Sequence, residues 1–318
     1  MIETTHAALG YQIRLRRFDN LLDAMTASAP DTINAMLADS YTMQACTALS
    51  HKGKVKDGRS TRQYTLTRHD WLGAPDLTVL EQRIREGWPE GAAMIAGLAA
   101  SELPDPVSIK RRREWADQGD ELDIHRVYAG KLDSAWSRMG KRESRAPRRI
   151  TLMCDLSCPW FQKADALAWR GVAALKLSDA LEEAGYQVQI LAVNCAVGVD
   201  SQEEQPGHEA VAAIVPVKHY DAPLDLSSLA SVLVAPGFKR RYLHRWHFAS
   251  EDRPQSRSLG GHGEILADWL HQLVISDLGE PVLRIDANVL SKATCQKAID
   301  SGLLTVRVLS RLDMLAAA

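Results

Sequence analysis

The chain has 318 residues, 46% of them hydrophobic and 25% charged, with a formal net charge of −2. That is an ordinary globular composition, which excludes disorder throughout, and the length suits two units of roughly 100–200 residues each. So small a net charge supplies no global field toward nucleic acid or membrane, and any such attraction must be local. The opening stretch MIETTHAALGYQIRLRRF has an early acid and no apolar core of signal-peptide length. No run approaches the ~20 apolar residues that span a bilayer. Five cysteines, at 46, 154, 158, 195 and 295, are too sparse for a disulfide framework and suit a reducing compartment. The expectation is a cytoplasmic protein without a membrane partner.

Leu, Ala and Met at helical spacing predict helices over roughly 20–50 and 76–101. Between them, Lys54 to Thr67 alternates like a strand or hairpin. Trp71, Trp88, Trp115 and Trp136 read as core anchors, because each ring buries a large area. The run RMGKRESRAPRR, Arg138 to Arg149, holds six basic residues and one acid around the breakers Gly140 and Pro147. We place a basic linker over 138–149, between a helical or α+β amino-terminal module (1–137) and a second domain (150–318).

Downstream, strands and helices alternate. Ile150–Cys154 is a short apolar strand, and Lys163–Ala184 is a helix that is apolar almost all round, closed by Gly185. Gln187–Val193 is a second strand and Val211–Val217 a third, placed at a sheet edge because Pro216 has no N–H to donate. An amphipathic helix runs from about His262 to Val274, then a strand at Val282–Ile285. A short helix at Thr294–Ser301 and a fifth strand at Leu303–Leu309 complete the series. This order implies right-handed crossovers and a doubly wound, mostly parallel α/β sheet.

Ligands of such sheets bind beyond the carboxyl ends of the strands. The first strand ends in Cys154-Asp155-Leu156-Ser157-Cys158-Pro159-Trp160. With Gly185-Tyr186-Gln187-Val188-Gln189-Ile190, Gly260-Gly261-His262-Gly263 and Asp286, it resembles the von Willebrand factor A family over about residues 148–312. The resemblance implies a metal-ion-dependent adhesion site, in which a first strand ends Asp-x-Ser-x-Ser. A threonine from a Gly-Gly-Thr loop and an aspartate after the fourth strand complete that site. Asp155 and Ser157 match it and Asp286 is a third match, whereas Pro159 stands for the second serine and His262 for the threonine. The motif is therefore degenerate. Mg²⁺ wants near-octahedral oxygen ligands, while imidazole suits softer ions.

Three outcomes follow. Asp155, Ser157 and Asp286 could hold Mg²⁺ or Mn²⁺ weakly, with waters filling the gaps. Asp155, Cys158, His262 and Asp286 could form a softer site. In the reading we prefer, these side chains tie loops together and hold no metal. Cys154 and Cys158 have the wrong separation for a thioredoxin-like or zinc-knuckle pair. Cys154 reads as a core thiol, and neither is expected to be catalytic.

Lys239-Arg240-Arg241-Tyr242-Leu243-His244-Arg245-Trp246 interleaves basic and aromatic residues, types that neutralise phosphates and stack on bases. Lys239, Arg240, Arg241, Arg245 and Trp246 are the candidate nucleic-acid contacts, although solvated faces and a tethered loop are the preferred reading of the pattern. The stretch Gly119-Asp120-Glu121-Leu122-Asp123, with Gly130 and Trp136, is similar to uncharacterised bacteriophage or prophage proteins. The reading is a non-enzymatic interaction or assembly module that docks a protein partner. Nucleic-acid association is the alternative, and a metal-dependent enzyme ranks last because no general base or nucleophile stands out.

Overall fold

The structure, a computed structural model, describes residues 2–8, 11–27, 44, 47–57, 60–97, 113–119, 121–139, 148–158, 161–199, 208–243, 261–262, 268–278 and 282–316. It divides into two compact units, Met1–Glu102 with Arg149–Ala318, and Leu103–Arg148.

The first unit is built on one mixed sheet. Its strands are β1 (Ile2–Ala8), β2 (Tyr11–Arg17), β8 (Arg149–Asp155), β9 (Gln187–Val199), β10 (His208–Lys218), β11 (Gly261–His262) and β12 (Val282–Ile285), in the order β1-β2-β10-β9-β8-β12 with β11 on β9. β8 is parallel to both β9 and β12, and β10 is parallel to β2, while β1–β2 and β10–β9 are antiparallel. The chain is thus an α/β protein with a largely parallel sheet. Ile13, Leu15, Met153, Leu191, Val193, Ala212 and Ile214 make one buried face with Val274. Alternate residues of the same strands, Leu152, Ile190, Ala192, Ala213 and Val215, are equally buried. A sheet covered on both faces produces the near-continuous apolar runs of these strands.

Helix α6 (Ala164–Glu183) packs on β8, β9 and β12. Its end is a Schellman turn: Gly185, at φ 83°, donates to Glu182 O, and Tyr186 N–H donates to Leu181 O. The unit also holds α1 (Leu21–Ala27), a hairpin of β3 (Ser50–Asp57) and β4 (Ser60–Thr67), and α2 (Arg68–Leu72). Helices α3 (Leu77–Glu86), α4 (Pro89–Ala96), α7 (Leu226–Leu233), α8 (Asp268–Leu278) and α9 (Lys292–Ala316) complete the unit, with a π-helical turn at Lys239–Leu243. The second unit has strands β5 (Arg113–Ala116), β6 (Glu121–Leu122) and β7 (Trp136–Met139) and helix α5 (Ile124–Tyr128).

Several expectations are corrected. β1 and β2, from the stretch assigned to a separate amino-terminal module, extend the main sheet, and the second unit is an excursion between residues 103 and 148. β10 is internal. β2 pairs with it only from His208 to Ile214, so Pro216 lies past the end of that pairing, beside a register shift toward β9. The proline is tolerated because its β2 side is locally free. The fifth strand expected at Leu303–Leu309 is helical. Cys295, Ile299, Leu303 and Val306 are all buried at spacings of four, four and three, which is one helix face despite the β-branched residues. The helix expected over 76–101 breaks at Gly87, φ 91°, and restarts at Pro89. The helix expected from His262 starts at Asp268, and His262 itself lies in β11. Of the span 20–50, α1 is described, and most of the remainder lies outside the described residues, as does 140–147 of the linker. Trp71 is fully buried, but Trp115 is 46% exposed and lies under the Arg126 guanidinium, 3.9 Å from its ring centre.

Candidate functional site at the carboxyl rim of the sheet

β8, β9 and β12 run parallel, so their carboxyl ends share one rim. Asp155 ends β8. In register, Ile285 of β12 lies opposite Cys154, which brings Asp286 to the same level as Asp155. β9 continues past the end of β8, and there β11 takes its open side, with His262 opposite Ala196. Asp155, Ser157, His262 and Asp286, four of the five candidate metal ligands, therefore have their backbone at one rim.

Asp155, Ser157 and Asp286 each have an oxygen engaged within the protein. Asp155 is fully buried, and its Oδ1 accepts the Ser157 N–H at 2.8 Å. Ser157 Oγ accepts the Cys195 N–H at 3.0 Å, which ties the loop to β9. Leu156 N–H adds a bond to Val193 O at 2.7 Å. Asp286 closes its own turn, accepting from Asn288 N–H at 2.8 Å, and its other oxygen pairs with Arg284 at 2.9 Å. Arg170 of α6, 1% exposed, donates through Nη1 to the backbone carbonyls of both Asp155 and Ser157. A fixed guanidinium bonded to this loop's backbone carbonyls repels a dication that would bind through the Asp155 carboxylate. Among the described residues, no three His, Cys, Asp or Glu side chains are grouped as metal ligands. Ser157 Oγ and both oxygens of Asp286 are thus already engaged by protein donors.

The sequence reading missed Arg170. The only signal was its place among Ala168, Trp169, Gly171 and Val172, in a helix that also carries the charged Asp165, Lys176 and Asp179. It also missed the use made of the basic stretch. Lys239 and Arg240 are 2% and 1% exposed, so these two candidate nucleic-acid contacts cannot reach a phosphate. Arg240 donates to Trp71 O and, at 2.7 Å, to Gln162 O, with its guanidinium 5.1 Å from the Trp71 ring centre. Lys239 Nζ donates to Cys158 O and contacts Cys158 Sγ, both at 3.3 Å, and Arg240 Nη2 is 4.0 Å from the same sulfur. Arg241 is half-buried, while Arg245 and Trp246 lie outside the described residues. Burial pushes the Cys158 thiol up, but Lys239, Arg240 and Arg170 together outweigh it and hold the thiol below its ordinary 9.0. Burial in turn pulls Lys239 below its ordinary 10.5.

A family model matches residues 11–277, well over half of the chain. The chain belongs to this family, described as a domain of unknown function (DUF7192). The DUF7192 match takes in β2, the second unit, the rim loop and the π-helical turn, and so covers the residues of the candidate site apart from Asp286. No curated protein and no solved structure matches the chain.

Proposed function

We propose that this DUF7192 protein is a non-enzymatic interaction or assembly module on a von Willebrand A-like domain. Its carboxyl rim docks a protein partner without a divalent cation. The observation that carries the reading is Arg170: a buried guanidinium bonds the two carbonyls of the rim loop where the family's motif would place a metal. The strand order β10-β9-β8-β12, with β10 antiparallel and a long helix between β8 and β9, supports the resemblance. The added strands β1 and β2, and α9 in place of a fifth strand, distinguish this chain from that pattern. Four described cysteines are free and buried, which supports a cytoplasmic setting.

Nucleic-acid association is the weaker reading, because Lys239 and Arg240 spend their charge internally. The test is recovery of the tagged chain from the cells that encode it, in Mg²⁺ or in EDTA, with the bound proteins quantified. The reading expects the same partner in both, weakened when the half-exposed rim residue Asp286 becomes Lys. Release by EDTA, or a partner that binds only through nuclease-sensitive material, refutes it.

A further inference from the structure

Beside the rim loop lies a cavity of about 10 Å³, space for about one water-sized particle. It is lined by Leu156 of the loop, Leu167 and Arg170 of α6, residues 232–236 where α7 ends, and Lys239 of the π-helical turn. Two of these lining residues are cations and none is an acid. Both cations are buried, and the other lining side chains are apolar.

Arg170 engages the protein through one nitrogen only. Its Nη1 donates to the Asp155 and Ser157 carbonyls, whereas Nε and Nη2 are buried with no hydrogen-bond partner among the described residues. A buried donor without an acceptor is unfavourable, and more so on a charged group. Lys239 Nζ donates to the Cys158 carbonyl and contacts its sulfur, and an ammonium carries three N–H groups, so one is left for a further acceptor. The backbone amides of the lining add no donor at the end of α7. Val234 and Ala235 N–H both donate to Ala230 O, and Pro236 has no N–H. Among the described residues the only buried carboxylate is Asp155, which is not in the lining and meets Arg170 through its backbone carbonyl.

A guest in this cavity has to accept hydrogen bonds, because a guanidinium and an ammonium are donors only. Water accepts, but its own hydrogens then face apolar walls. An anion needs donors alone, and its full charge interacts strongly with two cations in surroundings of low polarity. Size narrows the choice further. Carboxylates, phosphate and sulfate exceed the space of one water, whereas a halide ion is only slightly wider than a water molecule. The geometry points to a buried halide site: a chloride ion held between Arg170 Nε and Nη2 and Lys239 Nζ, joining α6 to the π-helical turn beside the rim loop.

The test soaks crystals of the full chain in sodium bromide and collects data at the bromine absorption edge. Bromide has the charge of chloride, nearly its size, and an anomalous signal that water lacks. The expected result is an anomalous peak in the cavity, within hydrogen-bonding reach of Arg170 and Lys239. In solution, the urea midpoint should be higher in sodium chloride than in sodium gluconate at equal ionic strength, because gluconate is too large to enter. Each tenfold rise in chloride should multiply the folding constant by up to about ten for a single site. Lys239→Met keeps the length of the side chain and removes its charge. It should lose both the bromide peak and the difference between the two salts, whatever its own stability. Bromide only at exposed positions, an adventitious ion only, would overturn the proposal. So would cavity density without anomalous signal, equal midpoints in the two salts, or a cavity peak undiminished in Lys239→Met.

Discussion

Gly171→Ala is a substitution for which propensity and packing predict opposite signs. Gly171 sits inside α6, one residue after Arg170, and in an exposed helix the change to alanine would stabilise by about 1 kcal/mol. Here an added Cβ would lie 2.2 Å from Leu233 O, 2.3 Å from Leu233 C and 2.6 Å from Val234 N. An ordinary C···O approach is about 3.3 Å, so the overlap is about 1 Å. All three atoms belong to the backbone at the end of α7 and cannot rotate aside, so the two helices must separate. Overpacking of this kind costs about 1–3 kcal/mol, toward the upper end where backbone must move. The net expectation is destabilisation by about 2 kcal/mol, read as a lower urea midpoint by circular dichroism of the full chain. A midpoint equal to or above the parent's would refute the close α6–α7 contact, and with it the positioning of Arg170 beneath the rim loop.

Two further predictions concern buried ionisable groups. Burial raises the Cys154 thiol from 9.0 to about 12, so its contribution is fully present below pH 9.0 and is lost as pH rises from there through about 12. At 1.36 kcal/mol per pH unit the loss is about 4 kcal/mol at most. Urea midpoints at neutral and alkaline pH should therefore fall less in Cys154→Ala than in the parent, and parallel falls would contradict this. Lys218, only 1% exposed along its side chain, pairs with Glu182 at 2.5 Å and donates to Val188 O at 2.7 Å. Lys218→Met should cost about 3 kcal/mol by leaving both acceptors without their donor, and an unchanged melting temperature would show the pair contributes nothing.

Much of the sheet was legible in the sequence because its strands are buried on both faces and read as short apolar runs between helices. Strands β8, β9 and β12 and helix α6 fall where the pattern places them, down to the glycine that ends the helix. What failed was local chemistry read without tertiary context. Pro216 marks an edge only where β2 has already stopped, and the β-branched run after Gly302 is helical because Ile299, Leu303 and Val306 share one buried face. At the site, the motif identified the rim loop. It could not show that an arginine fifteen residues beyond Asp155 would bond that loop, nor that a basic run would fold inward around Cys158. Both depend on contacts distant in sequence, such as Arg240 with Trp71.

Calorimetric titration of the full chain with Mg²⁺, Mn²⁺ and Zn²⁺, alongside Asp155→Ala and His262→Ala, tests the central claim most directly. The Ser157 oxygen is engaged by Cys195, Asp286 is held by Arg284, and Arg170 is bonded to the loop of Asp155. The account therefore predicts no binding heat for any of the three ions in the parent or either variant. Tight Mg²⁺ binding abolished by Asp155→Ala, or tight Zn²⁺ binding abolished by His262→Ala, would contradict it.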